Sequence, residues 1–118
     1  MMATKISSRK AKGRKLQQWA AQKVSLLIGL PCGPDEQIAS REMGQGGCDV
    51  RLIGEARTLF PWSVECKNQE KLNIWSSLEQ AENNSGNHAP LVVFKRNRTK
   101  TYAVLEFDKL LELLNESK

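Results

Sequence analysis

The chain reads Gly-Cys-Asp-Val at residues 47–50 and Val-Glu-Cys-Lys at residues 64–67. Side chains of a β-strand point alternately to the two faces of a sheet, so the second stretch places Glu65 and Lys67 on one face and its apolar residues on the other. Asp49 lies at the end of the preceding predicted strand. The two stretches therefore predict neighbouring strands that bring two acids and an amine to one place.

Hydrophobic periodicity assigns the segments on either side of these strands. Apolar residues recur at three- and four-residue intervals between Arg9 and Leu30, as expected of a helix, and Asn73 is a suitable N-cap for a second one. The predicted helices are 9–30, 74–84 and 107–114, and the predicted strands are 38–41, 48–53, 61–67, 91–95 and 101–105, with a glycine-rich loop at 44–47 and a hairpin or loop at 54–59. The order α-β-β-β-α-β-β-α predicts an α/β fold with a central mixed β-sheet flanked by helices.

Length and composition favour a single domain without a membrane segment. A chain of 118 residues has the usual size of one domain; residues 9–118 are predicted to form it, and residues 1–8 to be a flexible basic arm. The longest apolar run is far shorter than the ~20 residues of a spanning helix, and the basic N-terminus lacks an apolar signal region. We therefore expect an intracellular protein, in the cytoplasm of a prokaryote or, for a viral chain, of its host. Its three cysteines are expected to be reduced thiols.

Basic residues are concentrated in two parts of the sequence. The formal net charge is +5, yet residues 1–23 hold seven basic residues and no acid, so the rest of the chain sums to −2. A second basic cluster follows the fourth predicted strand. Two such clusters favour a polyanionic partner such as DNA; solubility or a merely solvated surface is the alternative. The candidate DNA contacts are Arg9, Lys10, Lys12, Arg14, Lys15, Lys95, Arg96, Arg98 and Lys100, together with Ser40, whose alternative role is that of an ordinary serine at a strand end.

Asp49 and Glu65 have the chemistry of a site for a hard cation. Mg²⁺ prefers oxygen ligands and typically takes one or two carboxylates, and Mn²⁺ is expected to substitute for it. The backbone carbonyl of Cys66 is a further candidate ligand. Such an ion polarises a phosphate and activates a water, and the Lys67 ammonium can orient that water or stabilise charge in the transition state. The pattern predicts metal-dependent phosphodiester hydrolysis.

Asp49, followed sixteen residues later by Glu65-x-Lys67, resembles the signature of the PD-(D/E)XK nucleases. The helix that carries Gln80 and the strand after it resemble the Holliday-junction-resolvase-like and virus-type replication-repair branches of that superfamily. The resemblance implies a restriction-endonuclease-like fold. It implies metal ligation by Asp49 and Glu65, positioning of water or phosphate by Lys67, and a catalytic role for Gln80.

The first helix departs from the pattern of these relatives. Many of them carry a glutamate there that completes the metal shell, whereas this chain has no acid in residues 1–34 and has Gln17 and Gln18 at the corresponding positions. A glutamine contributes no charge, so the departure favours one metal ion over two.

The resemblance also implies a function in DNA recombination and repair. No segment looks like a base-reading element, so we expect structure-selective cleavage, for which Holliday junction resolvases are the nearest analogy. A four-way junction needs two symmetric cuts, which a homodimer supplies. The alternatives are a nicking or restriction-like endonuclease on duplex DNA, a non-catalytic DNA-binding protein of the same fold, and an RNA- or ribosome-associated basic protein. The apolar residues of the last helix either pack on the sheet or form a dimer surface: Phe107, Leu110, Leu111, Leu113 and Leu114.

Overall fold

The computed structural model describes the backbone of residues 2–41 and 47–116, and the side chains within these ranges from Arg9 onward. The described residues form four helices and five strands, which confirms the predicted α/β class. The helices are α1 (Met2–Ile28), α2 (Gly54–Leu59), α3 (Ile74–Ser85) and α4 (Phe107–Glu116), and the strands are β1 (Ile38–Ser40), β2 (Val50–Leu52), β3 (Trp62–Asn68), β4 (Ala89–Lys95) and β5 (Tyr102–Val104).

The strands form two small sheets that meet at β3. Strand β4 pairs parallel with β3 and antiparallel with β5, while β1 and β2 form an antiparallel pair. The Asp49 N–H donates to the Val64 carbonyl at 2.8 Å, which ties the start of β2 to the free edge of β3. The prediction of a mixed sheet is therefore confirmed, but that sheet has three strands and the first two strands pair separately.

Helices α1 and α3 cover opposite faces of β3. Helix α1 contacts β1, β2 and β3, and α3 contacts β3 and β4. Buried Leu16, Ala20 and Val24 of α1 join Val64 in the main core. Because α3 covers the other face, Glu65 on that face is only 3% exposed. A buried charge needs a partner. An acid in a strand that is covered on both faces therefore indicates that another group compensates its charge.

Two segments differ from the prediction. Residues 54–59, predicted as a hairpin or loop, form α2, because the Gln37 side chain accepts a hydrogen bond from the Ala56 N–H at 2.9 Å and Ala56 is fully buried. Helix α1 begins at Met2 rather than at Arg9, so the segment predicted as a flexible arm has a helical backbone. The α2 contact joins residues far apart in sequence, and local periodicity contains no sign of it.

The predicted glycine-rich loop lies mostly outside the described residues, which resume at Gly47. Gly47 has a φ of 93°, a backbone conformation that favours glycine. The Arg41 N–H donates to the Asp49 carbonyl at 2.8 Å, and the Arg41 guanidinium donates to the Cys48 carbonyl. These two hydrogen bonds hold the backbone of Cys48 and Asp49 against Arg41.

Helix α4 presents its apolar side chains to solvent. Its five large apolar residues are 36–68% exposed, so of the two predicted roles the structure favours a surface over packing on the sheet. Within the described ranges, no helix combines the length and the hydropathy that crossing a bilayer requires.

Candidate active site

Asp49 is held against the edge of β3 by two backbone bonds. Its own N–H donates to Val64, and its side-chain Oδ2 accepts from the Cys66 N–H at 2.7 Å. Cys48 and Val50 on either side are buried, as the alternating pattern predicted. One carboxylate oxygen of Asp49 is thus fixed by the strand, and the Asp49 carboxylate also interacts with the side chain of Glu65.

Glu65 is buried beside Asp49. The Asn84 amide of α3 donates to its Oε1 at 3.0 Å, and the Asn84 backbone carbonyl accepts from the Ser63 hydroxyl at 3.4 Å. Burial, together with a smaller contribution from the adjacent Asp49 carboxylate, raises the pKa of Glu65 to about 7 against the opposing effects of Asn84 and Lys67. Two neighbouring carboxylates in a buried site cannot both be charged cheaply, so the pair favours a proton or a cation between them.

Lys67 and Gln80 complete the predicted set. Lys67 follows Glu65 by two residues and therefore points to the same face, towards α3. Its ammonium donates to the Gln80 Oε1 at 2.7 Å. The remaining ammonium hydrogens and the Gln80 amide NH₂ can donate to a bound group. The structure thus brings Asp49, Glu65, Lys67 and Gln80 together around the end of β3.

The arrangement of donors fits a divalent cation. Asp49 and Glu65 each have one oxygen held by a protein N–H, the two carboxylates adjoin each other, and Mg²⁺ sites with one or two carboxylates are common. The N–H and C=O of one strand residue point to the same edge, so the Cys66 carbonyl faces Asp49, as its N–H does. In the part of the chain that the structure describes, no group of three or more His, Cys, Asp or Glu side chains is suited to a metal.

The two glutamines of α1 differ in their surroundings. Gln18 is exposed, whereas Gln17 is half-buried, and its Oε1 is buried without a hydrogen-bond partner among the described residues. A buried unpaired oxygen is costly, which makes this atom suited to an ordered water or another donor. Gln17 is thus the glutamine that faces the protein body from α1.

The predicted DNA contacts are divided between several surfaces. Arg9 and Lys12 line a cavity beside the segment after β3, and Lys95 and Arg96 line a second cavity next to it. Ser40 instead lines a separate cavity with Arg41 and Arg51, so it is not in either basic cavity. The remaining predicted cations are exposed and line neither cavity: Lys10, Arg14, Lys15, Arg98 and Lys100.

Sequence reasoning missed Asn84, which binds Glu65 directly. The sequence predicts that the helix ends near Asn84, within a polar loop over 83–90, but the helix continues through Ser85. Residues four apart lie on one face of a helix, so a site that contains Gln80 should also contain Asn84. That spacing was the available signal.

Comparisons with known proteins yield no match: no family model, no curated protein and no solved structure resembles the chain closely enough to be assigned. The functional conclusion therefore depends on the geometry of the site.

Proposed function

We propose that the protein is a Mg²⁺-dependent endodeoxyribonuclease of the PD-(D/E)XK type, with a restriction-endonuclease-like fold. The observation that carries the proposal is the meeting of the Asp49 and Glu65 carboxylates in a buried site beside the Lys67 ammonium. Helix α3 supports it, because Gln80 binds Lys67 and Asn84 binds Glu65. Two adjacent acids beside a strand that is covered on both faces are costly to keep charged, which favours a functional explanation over chance.

Asp49, Glu65 and the Cys66 carbonyl would hold the ion, with Mn²⁺ able to replace Mg²⁺. When bound, the ion supplies Lewis acidity towards the phosphate and a more acidic water. Lys67 donates to a phosphate oxygen or to the attacking water, and the 2.7 Å bond to Gln80 fixes its ammonium. Asn84 holds Oε1 of Glu65, which orients the carboxylate towards Asp49.

We propose branched DNA as the substrate class, with a four-way junction as the first candidate. No segment among the described residues forms a separate base-reading element, and the cations of the chain would contact phosphates, which position DNA without reading its sequence. A homodimer would supply the two symmetric cuts that a junction needs. The exposed apolar side of α4 is the surface that we assign to this dimer, because large apolar patches mark contact sites.

The test is a cleavage assay on labelled four-way, forked, single-stranded and linear DNA, with and without Mg²⁺. We expect Mg²⁺-dependent cuts in the branched substrates, and a loss of about 10²-fold or more in rate for Asp49→Ala and Glu65→Ala with DNA binding retained. Glu79→Ala, an exposed acid on α3, is the matched control and should cut like the wild type. If Glu65→Ala cut DNA at the wild-type rate, the assignment of the active site would be wrong. If the protein preferred linear duplex, a nicking or restriction-like enzyme would be favoured.

A further inference from the structure

Two cavities meet over one segment at the end of β3. The first, of about 560 Å³, lies between α1 and the segment Asn68–Lys71. The second, of about 520 Å³, lies between that segment and the β4–β5 hairpin. Gln69, Glu70 and Lys71 line both cavities. The two form a continuous surface, here called the basic groove, that runs from α1 to the hairpin.

The α1 side of the basic groove carries unbalanced positive charge. Arg9, Lys12 and Lys71 line it, and Glu70 is its acid. A carboxylate oxygen of Glu70 already accepts from the Asn97 N–H at 2.7 Å. Among the described residues, none of these cations has an acid within ion-pair distance. This side is therefore suited to an anion, and phosphate is the anion that the proposed substrate supplies.

Gly13 keeps the α1 side open. It lies within α1, where glycine destabilises a helix by about 1 kcal/mol relative to alanine. It lines the cavity, and a Cβ built there would meet no atom within 4 Å. A bound group can thus approach the helix backbone between Arg9 and Lys12 on one side and the loop on the other.

The hairpin side combines cations with aromatic rings. Lys95 and Arg96 line it together with Phe94 and Tyr102. The two rings pack at a centroid distance of 6.1 Å and an angle of 34°, and Tyr102 is 55% exposed. A supported and exposed ring beside basic residues is the arrangement on which the bases of a single strand stack.

Strand register connects the aromatic pair to the candidate active site. Lys67 pairs with Phe94, and Phe94 pairs with Tyr102, so the three side chains form one row on one face. Neighbouring strands are about 4.8 Å apart, which puts the backbone of Tyr102 roughly 10 Å from that of Lys67. A strand lying along the basic groove would pass next to the acid pair.

We propose that the basic groove binds single-stranded DNA, with a base stacked on Tyr102 and backbone phosphates at Arg9, Lys12 and Lys71. A duplex hides the faces of its bases, so the exposed ring favours an unpaired strand. The groove would select substrates in which such a strand adjoins the cleavage site, as at a fork or an opened junction. The delivery of this strand to Lys67 rests on the proposed function, whereas the binding itself can be measured without cleavage.

The experiment is fluorescence anisotropy in EDTA, with full-length protein and a labelled oligothymidylate of about 12 nucleotides, a length typical of single-strand grooves. Tyr102→Ala should raise the Kd about fivefold or more, and Tyr102→Phe should restore it. The triple variant Arg9→Ala, Lys12→Ala, Lys71→Ala should make the dependence of log K on log salt concentration less steep. The slope should decrease in magnitude by about 2, since each lost phosphate contact contributes about 0.7. Lys23→Ala, on the same helix but outside both cavities, is the control.

Each result bears on one of the two proposals. Loss of single-strand binding in Tyr102→Ala and the triple variant supports the groove, even if the wild type cuts no DNA, in which case only the nuclease proposal fails. Unchanged affinity in both variants, or tighter binding of the matched duplex than of the single strand, overturns the groove, even if cleavage is found. Circular dichroism melts verify that Tyr102→Ala is folded, and the triple variant, which changes only surface cations, keeps the test valid if it is not.

Discussion

The acid pair on β3 and the basic groove at the end of that strand hold charge in different ways. Glu65 is 3% exposed, and both acids are fixed by hydrogen bonds to the backbone or to α3. In the groove, Arg9 and Lys71 are exposed and lack acid partners among the described residues. Between Glu65 and Lys71 the chain thus passes from a buried site, where the charged groups are hydrogen-bonded, to an open surface, where salt can screen the charges.

This difference determines how strongly the substitution of one side chain can change the reaction rate or the affinity for DNA. Removing a partner from a buried charged group leaves the rest of the site uncompensated, which has a large effect. Exposed charges are screened by salt and act together, so each has a small effect. Substitutions at the acid site should therefore change the reaction, and substitutions in the groove should change affinity.

The largest expected contrast comes from two lysines four residues apart. Lys67→Ala removes the ammonium next to the acids and should lower the cleavage rate at saturating DNA and Mg²⁺ by about 10²–10³-fold. Lys71→Ala should instead raise the KM for DNA. Single-turnover rates over a range of DNA concentrations separate the two, with Lys109→Ala of α4 as the control. A Lys67→Ala enzyme that differs only in KM would remove the distinction between the two regions.

The second contrast concerns pH. The folded protein holds a proton on Glu65 up to about pH 7, whereas the unfolded chain releases it near 4.5. The free energy of unfolding without metal should therefore fall as pH rises through this window. The pKa difference corresponds to at most roughly 3–4 kcal/mol, at about 1.4 kcal/mol per pH unit.

Urea unfolding in EDTA between pH 5 and 8 measures this fall. Glu65→Gln should remove it and be the more stable protein at pH 8, while Glu79→Gln should keep the wild-type profile. Mg²⁺ should recover stability at pH 8 in the wild type and in Glu79→Gln, but not in Glu65→Gln. Identical profiles for the wild type and Glu65→Gln would mean that the acid site is less buried and less crowded than described.

The smallest of the three effects tests Asn84 as a positioning residue. Asn84→Ala should raise the Mg²⁺ concentration for half-maximal cleavage by about 10–100-fold, because groups that orient metal ligands have effects of this size. Excess Mg²⁺ should largely restore the rate. Asn83→Ala, its exposed neighbour, is the control. A loss of stability with an unchanged Mg²⁺ requirement would reduce Asn84 to a packing role.

The local sequence was sufficient to predict most of the acid site. Alternation in 62–67 placed Glu65 and Lys67 on one face, and Asn73 does cap α3 by accepting from the Ser76 N–H at 3.0 Å. The groove was predicted only as scattered cations. Its two sides are joined by the register of β3, β4 and β5, which pairs residues far apart in sequence.

Long-range contacts explain what the sequence did not predict. Helix α2 depends on a hydrogen bond from Ala56 to Gln37, and the junction between the β1–β2 pair and the three-stranded sheet depends on the hydrogen bond from Asp49 to Val64. Lys71 and Tyr102 gain their candidate roles only from their neighbours in the folded chain. Periodicity reports the face of an element and contains no information on which distant segment covers it.

Manganese binding tests most directly whether the two acids form one cation site. Electron paramagnetic resonance or calorimetry, with Mn²⁺ and without DNA, should find a single ion bound per wild-type chain. Asp49→Asn and Glu65→Gln should each remove that binding, while Glu79→Gln should retain it. Equal Mn²⁺ binding by the wild type and the Asp49→Asn, Glu65→Gln double variant would contradict the account.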